Sequence, residues 1–221
     1  MAVSAAVLNI VKKVQPKQAN RKKDHDLEDV DVQMVRYKPE GLDTLCRTTK
    51  FTRKELQIMY RGFKQECPMG VVDEDTFKDI YSQFFPLGDS GSYAHYVFNT
   101  FDQDKNGSLS FEEFVNGLSV LIRGSLHERL KWTFNLYDIN GDGVITKDEM
   151  QDVVQAIYDM IGRFSEPQVD SNTAREHVNK VFHKMDSNRD GFITLDEFME
   201  SCKRDENIIK GMAIFDTVLQ L

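Results

Sequence analysis

Three segments of this chain superimpose without a gap: FDQDKNGSLSFEEF from Phe101, YDINGDGVITKDEM from Tyr137 and MDSNRDGFITLDEF from Met185. An internal repeat constrains a fold more than any local propensity, because each copy must be one supersecondary unit that buries its apolar face against its neighbours. Each copy has a helical pattern on both sides, so the unit is helix–loop–helix. The register repeats at 36 residues between Asp102 and Asp138 and at 48 between Asp138 and Asp186. The extra length falls near Gly162 to Asn172, where Gly162, Ser165 and Pro167 mark a linker. Stepping back 37 residues from Asp102 reaches QECPMGVVDEDTF, which keeps Gly70, Val72 and Phe77. A degenerate unit therefore comes first. Pairing through the apolar residue at loop position 8 (Val72, Leu109, Ile145, Ile193) joins four units into two lobes. The expected fold class is all-α, with short β-ribbons between paired loops and a C-terminal helix. The expected divisions are a basic tail over 1–38, a first pair over 39–123, and a second pair with the terminal helix over 124–221.

The loops present oxygen atoms at the spacing a divalent cation needs. Ca²⁺ takes six to eight hard oxygen ligands, which a twelve-residue loop supplies from positions 1, 3, 5, 7 (a backbone carbonyl), 9 and 12, with a bidentate Glu at the last. The second loop offers Asp102, Asp104, Asn106, the Ser108 carbonyl, Ser110 and Glu113; the third offers Asp138, Asn140, Asp142, the Val144 carbonyl, Thr146 and Glu149; the fourth offers Asp186, Asn188, Asp190, the Phe192 carbonyl, Thr194 and Glu197. Gly107, Gly143 and Gly191 stand at position 6, where the chain turns sharply. The expectation is up to three Ca²⁺ ions, with Mg²⁺ substituting at resting calcium. Ser110, Thr146 and Thr194 each precede their Glu by three residues, which is also a capping box for the outgoing helix. Capping alone does not require the upstream Asp, Asn and Gly three times over. In the first loop position 1 is Gln65, position 3 Cys67, position 4 Pro68 and position 12 Thr76, so the bidentate carboxylate is missing and the loop is expected to hold no metal. Its incoming helix still begins with Thr52-x-x-Glu55 and a Phe51–Leu56 staple.

Charge and cysteine usage narrow the class. The net charge is −8, yet residues 1–25 carry +5, so an acidic body follows a basic tail. That body disfavours nucleic acid and favours basic amphipathic partners. Cys46, Cys67 and Cys202 are odd in number and widely spaced, which fits buried or half-buried thiols in a reducing, cytoplasmic setting. No apolar run is long enough to span a membrane, and Met1–Val11 does not have the order of a secretory signal. A peripheral position at the plasma membrane would come through a partner.

The first half is rich in aromatics: Phe77, Tyr81, Phe84, Phe85, Phe98, Phe101, Phe114 and Trp132, with Ile80 among them. Core packing claims about half of such residues, and the remainder are expected to line a groove for an amphipathic helix. The final ENIIKGMAIFDTVLQL carries Ile208, Met212, Phe215 and Leu219 at helical spacing, and either occupies that groove without a partner or packs in the core. Val3, Val7, Ile10 and Val14 share one helical face ahead of the basic cluster, so a membrane-surface helix and a solvated tail both remain open. Ala2 closes the myristoylation route.

From about Pro39 onward the chain resembles the EF-hand proteins of the neuronal calcium sensor family, through FTRKELQIMYRGFKQECPMGVVDEDTF with its Cys67-Pro68 loop and through FNLYDINGDG. Within that family RYKPEGLDTL, YAHYVFNTFD, LHERLKWTFNLYD, AIYDMIGRF and FDTVLQL are similar to the Kv channel-interacting proteins. The resemblance implies a non-enzymatic auxiliary subunit of Shal-class, A-type potassium channels. Its groove would hold the channel's amino-terminal helix, and Leu42, Tyr60 and Lys64 would grip a neighbouring subunit in a 4:4 assembly that alters trafficking and inactivation. Relatives in this subfamily often close the second loop with Asp, whereas Glu113 completes it here, so magnesium-only behaviour is not carried over. A calcium-dependent transcriptional repressor, a photoprotein and a simple buffer are the competing readings. The acidic body, the single Trp and the aromatic groove weigh against them in that order.

Overall fold

The computed structural model describes residues 41–83, 85, 86, 88–161 and 171–205. The basic tail, Phe84, the segment 162–170 and the expected C-terminal helix over 206–221 lie outside the described residues. Among the described residues the order is α1 (Leu42–Thr48), α2 (Arg53–Glu66), β1 (Val71–Asp73), α3 (Glu74–Ser82), α4 (Gly91–Phe101), β2 (Ser108–Ser110), α5 (Phe111–Arg123), α6 (Leu126–Tyr137), β3 (Val144–Thr146), α7 (Lys147–Ile161), α8 (Ser171–Met185), β4 (Phe192–Thr194) and α9 (Leu195–Arg204). The protein is mostly helical, as the repeat predicts.

Both ribbons are antiparallel and pair loops within a lobe. Val72 stands opposite Leu109 in one and Ile145 opposite Ile193 in the other. All four side chains are buried, so loop position 8 is where each pair of hands is joined. Helix starts follow the capping signals. Thr52 accepts from the Glu55 N–H while Glu55 Oε2 accepts from the Thr52 N–H at 2.8 Å, and the same reciprocal box opens α5, α6 and α9 at Ser110, Ser125 and Thr194. Each such cap is worth about 1 kcal/mol.

The core is aromatic in the first lobe. Phe77 packs on Tyr81 and Phe98, Tyr81 stacks on Phe85, and Phe63 meets Phe111 and Phe114. Offset and edge-on pairs of this kind add about 0.5–1.5 kcal/mol each beyond the area they bury. Helix α4 is shared between the lobes. It packs on α3 and α5 of its own half and on α6 and α7 of the other. Two glycines permit the close approach. A Cβ on Gly117 would lie 2.2 Å from the Phe101 ring, and one on Gly88 would lie 2.0 Å from the Met160 carbonyl oxygen. Beside Gly88, the Asp89 N–H donates to the Asp159 carbonyl at 2.9 Å, satisfying one of the carbonyls left open at the end of α7.

A polar knot ties the α1–α2 corner to the α5–α6 junction. Lys50 N–H donates to Ser119 Oγ at 2.8 Å and Lys50 Nζ pairs with Glu128 at 2.7 Å. Arg123 donates to the Lys50 carbonyl at 2.6 Å, pairs with Glu55 and lies over the Phe51 ring at 4.7 Å. The Arg123 hydrogen bond, with help from Thr52, holds the Glu55 carboxyl down at about 2, against an ordinary value of 4.5. A depressed carboxyl stabilises the fold above its unfolded value, and that contribution is lost as pH falls from about 4.5 towards 2. The pair is more than a third exposed, so solvent screening holds it to at most about 1 kcal/mol. In chelator, the melting temperatures of the parent and of Arg123→Gln are therefore expected to differ most at neutral pH and the gap to narrow as pH approaches 2, leaving the part that belongs to the Lys50 carbonyl and the Phe51 ring; a constant gap would refute the pairing.

Candidate calcium-binding loops

Each of the three complete loops is organised by its own first aspartate. Asp102 accepts from the Asn106 N–H at 3.2 Å and the Gly107 N–H at 2.9 Å. Asp138 does the same with Asp142 and Gly143 at 3.1 and 3.0 Å, and Asp186 with Asp190 and Gly191 at 3.1 Å each. The side chains at positions 3 and 5 then accept from the backbone two residues on. Asp104 takes the Asn106 N–H and Asn106 takes that of Ser108; Asn140 and Asp142 take those of Asp142 and Val144; Asn188 and Asp190 take those of Asp190 and Phe192. These short-range bonds wind the loop so that the remaining oxygens converge.

The closing glutamates clasp both ends. Glu113 Oε2 accepts from the N–H and hydroxyl of Ser110 at 2.9 and 2.7 Å, while Oε1 accepts from the Gln103 N–H at 3.1 Å. Glu149 Oε2 takes the Thr146 N–H and hydroxyl, and its Oε1 takes the Asn140 N–H at 3.3 Å. Glu197 is held by Thr194 in the same way and accepts the Ser187 hydroxyl at 2.9 Å. Hydrogen bonds from the Thr194 backbone, then its hydroxyl and that of Ser187, keep the Glu197 carboxyl below its usual range. The capping box and the ligand set thus share one glutamate, and the Ser or Thr at position 9 serves the cap as well.

A cation is what this geometry asks for. Ligand atoms of Asp102, Asp104 and Glu113 lie within 4.8 Å of one another, and Asp102 is only 3% exposed. Three carboxylates so close repel unless positive charge sits among them. All the donors are hard oxygens, which suits Ca²⁺ or Mg²⁺ and not a soft metal.

Position 4 is a determinant that residue type did not disclose. Lys105, Gly141 and Arg189 all have positive φ there, at 57°, 71° and 60°, followed two residues on by Gly107, Gly143 and Gly191 at 78–90°. Lysine, glycine and arginine share no chemistry that would flag the position. It does explain the first loop, where position 4 is Pro68 and the ring fixes φ near −65°. The first loop cannot adopt the winding of the others. Gln65 is still within α2, Cys67 caps that helix and is buried, and Lys64 Nζ donates to the Pro68 carbonyl at 2.6 Å. Burial pushes the Cys67 thiol up to about 11, so it is a packing group and not a metal ligand.

Most of the aromatic residues expected to line a groove are buried in this conformation. Phe77, Tyr81, Phe85, Phe98, Phe101 and Phe114 are buried in the core, all but Phe101 in the ring pairs described above. Ile80 and Trp132 are half-buried. Trp132 sits across the lobe boundary with its ring 6.1 Å from that of Phe101, the residue before Asp102, and its buried Nε1 has no hydrogen-bond partner among the described residues. Leu42 and Tyr60 are half-buried on α1 and α2 and rest on the core, Tyr60 edge-on to Phe111. Lys64 is half-buried one turn beyond Tyr60.

Comparison with family models agrees with the loops. A model described as an EF-hand domain pair matches residues 127–203, and one described as an EF hand domain matches residues 94–121. Among the described residues, no helix is long and apolar enough to cross a membrane. The match covers the second, third and fourth loops, in which the acidic and amide side chains have the same hydrogen-bonded winding. The chain is an EF-hand domain-containing, calcium-binding protein.

Proposed function

We propose that the chain is a calcium sensor and that its target is the amino-terminal region of a Shal-class potassium channel. Asp102, Asp138 and Asp186, with their partners at positions 3, 5, 7, 9 and 12, would hold up to three ions. Bound Ca²⁺ supplies the positive charge on which the loop oxygens converge. The observation that carries a sensor over a buffer is the path out of the second loop. Asp102 follows directly on Phe101, whose ring fills the Gly117 notch of α5 and touches Trp132 of the other lobe. Any turn of α4 that accompanies loop closure is therefore felt by the aromatic core, and a buffer needs no such connection. The resemblance of the chain to channel-interacting sensors supplies the target. On this reading the core must open to admit the channel helix, since its aromatics are packed among themselves, while Leu42, Tyr60 and Lys64 face the neighbouring channel subunit.

The test is capture of the protein by an immobilised Shal-type amino-terminal peptide, in Ca²⁺ and in chelator. Retention that falls at least about tenfold in chelator, a difference of about 1.4 kcal/mol, is expected. Equal retention would refute the sensor reading, and no retention in either condition would refute the target.

A further inference from the structure

The basic tail is not the chain's only basic segment. Between Arg47 and Lys64 six cations stand against Glu55 alone, a local charge of +5 in a chain of −8. With this segment and the +5 of residues 1–25 set aside, the remaining residues carry −18. Both basic segments lie toward the same end of the sequence.

Helix α2 divides the segment by face. Leu56, Met59, Gly62 and Phe63 are buried. Lys54, Ile58 and Arg61 recur at helical spacing on another face, and all three are exposed, with Ile58 47% accessible. Nearby, Arg53 is paired with Asp43 at 2.5 Å and Lys50 with Glu128. Lys54, Arg61 and the exposed Arg47 form no ion pair among the described residues. An apolar side chain thus projects between two cations that have no ion-pair partner among the described residues.

We infer that this Lys54–Ile58–Arg61 face is a docking surface for an anionic lipid leaflet. The leaflet offers negative headgroups to the cations and an acyl boundary to Ile58, and a polyanion such as DNA has no use for the apolar residue. The contact is peripheral, because no described helix can span the bilayer. Repulsion of the −18 remainder from the same leaflet orients the molecule with α2 towards it. The surface is distinct from Tyr60 and Lys64, which stand on a different stripe of the helix, and from the tail.

The experiment is co-sedimentation of the full chain with vesicles of phosphatidylserine in phosphatidylcholine and with vesicles of phosphatidylcholine alone. Binding to the first and not the second, weakening as salt rises, is expected. Lys54→Gln with Arg61→Gln should lower partitioning about 25-fold, about five-fold for each cation. Ile58→Ser should lower it about five-fold, for one partly inserted aliphatic side chain. Unchanged calcium stoichiometry in the variants verifies that they fold. No binding by the parent overturns the inference, as does full binding by the double variant, which would assign attachment to the tail. Binding that Ile58→Ser leaves intact while duplex DNA displaces the vesicles overturns it in favour of a polyanion surface.

Discussion

Glu149→Gln is expected to remove one ion from the calcium stoichiometry measured by calorimetry, with the affinity of the third loop falling at least about 100-fold. Removal of groups that merely orient a ligand already costs about 10–100-fold, and Glu149 would be a ligand itself. The substitution keeps the shape but discards a charge and replaces one acceptor oxygen with an amide that donates. That amide would face the Thr146 N–H and hydroxyl, or the Asn140 N–H, which now donate to the carboxylate. Glu113→Gln and Glu197→Gln should each remove a different ion in the same way. An unaltered stoichiometry in any of the three would refute the ligand assignment for that loop.

Phe101→Ala carries the largest expected cost in stability. The ring is 1% exposed, lies in the Gly117 notch and meets Trp132 edge-on at 6.1 Å. Truncating a buried Phe costs about 3–5 kcal/mol, and a chain of this size loses about 2–4 °C of melting temperature per kcal/mol, so a fall of about 6–20 °C should follow. Gly117→Val alone should cost about 1–3 kcal/mol, because its side chain collides with that ring. Combined, the two should cost less than their sum, since the valine partly fills the space the ring leaves. Strict additivity in thermal melts would show that notch and ring are not coupled.

The loops were legible because their chemistry is local. Six ligand positions, a glycine turn and a cap are all read within twelve residues, and the antiparallel pairing at position 8 follows from one apolar side chain per loop. Less legible was everything that depends on a partner distant in the chain. Lys105 and Arg189 accept positive φ because their loop imposes it, which nothing in their side chains announces. Phe77, Tyr81 and Phe98 are the same residue types whether they line a groove or fill a core, and their mutual packing in this conformation is a matter of contacts that the sequence does not show. Nothing in the sequence singles out Gly88 and Gly117; their meaning lies in the Met160 carbonyl and the Phe101 ring, 72 and 16 residues away.

The glycine at 88 also bears on how this molecule can be taken apart. Its contact with the end of α7, together with the seating of α4 on α6 and α7, means that neither pair of hands owns a complete surface. A half-molecule ending at Gly124 would expose the flank of α4, and one beginning there would leave the Asp159 carbonyl without the Asp89 donor. Affinities measured on isolated halves would then describe two proteins with raw, sticky edges, and adding their responses would not reproduce the parent.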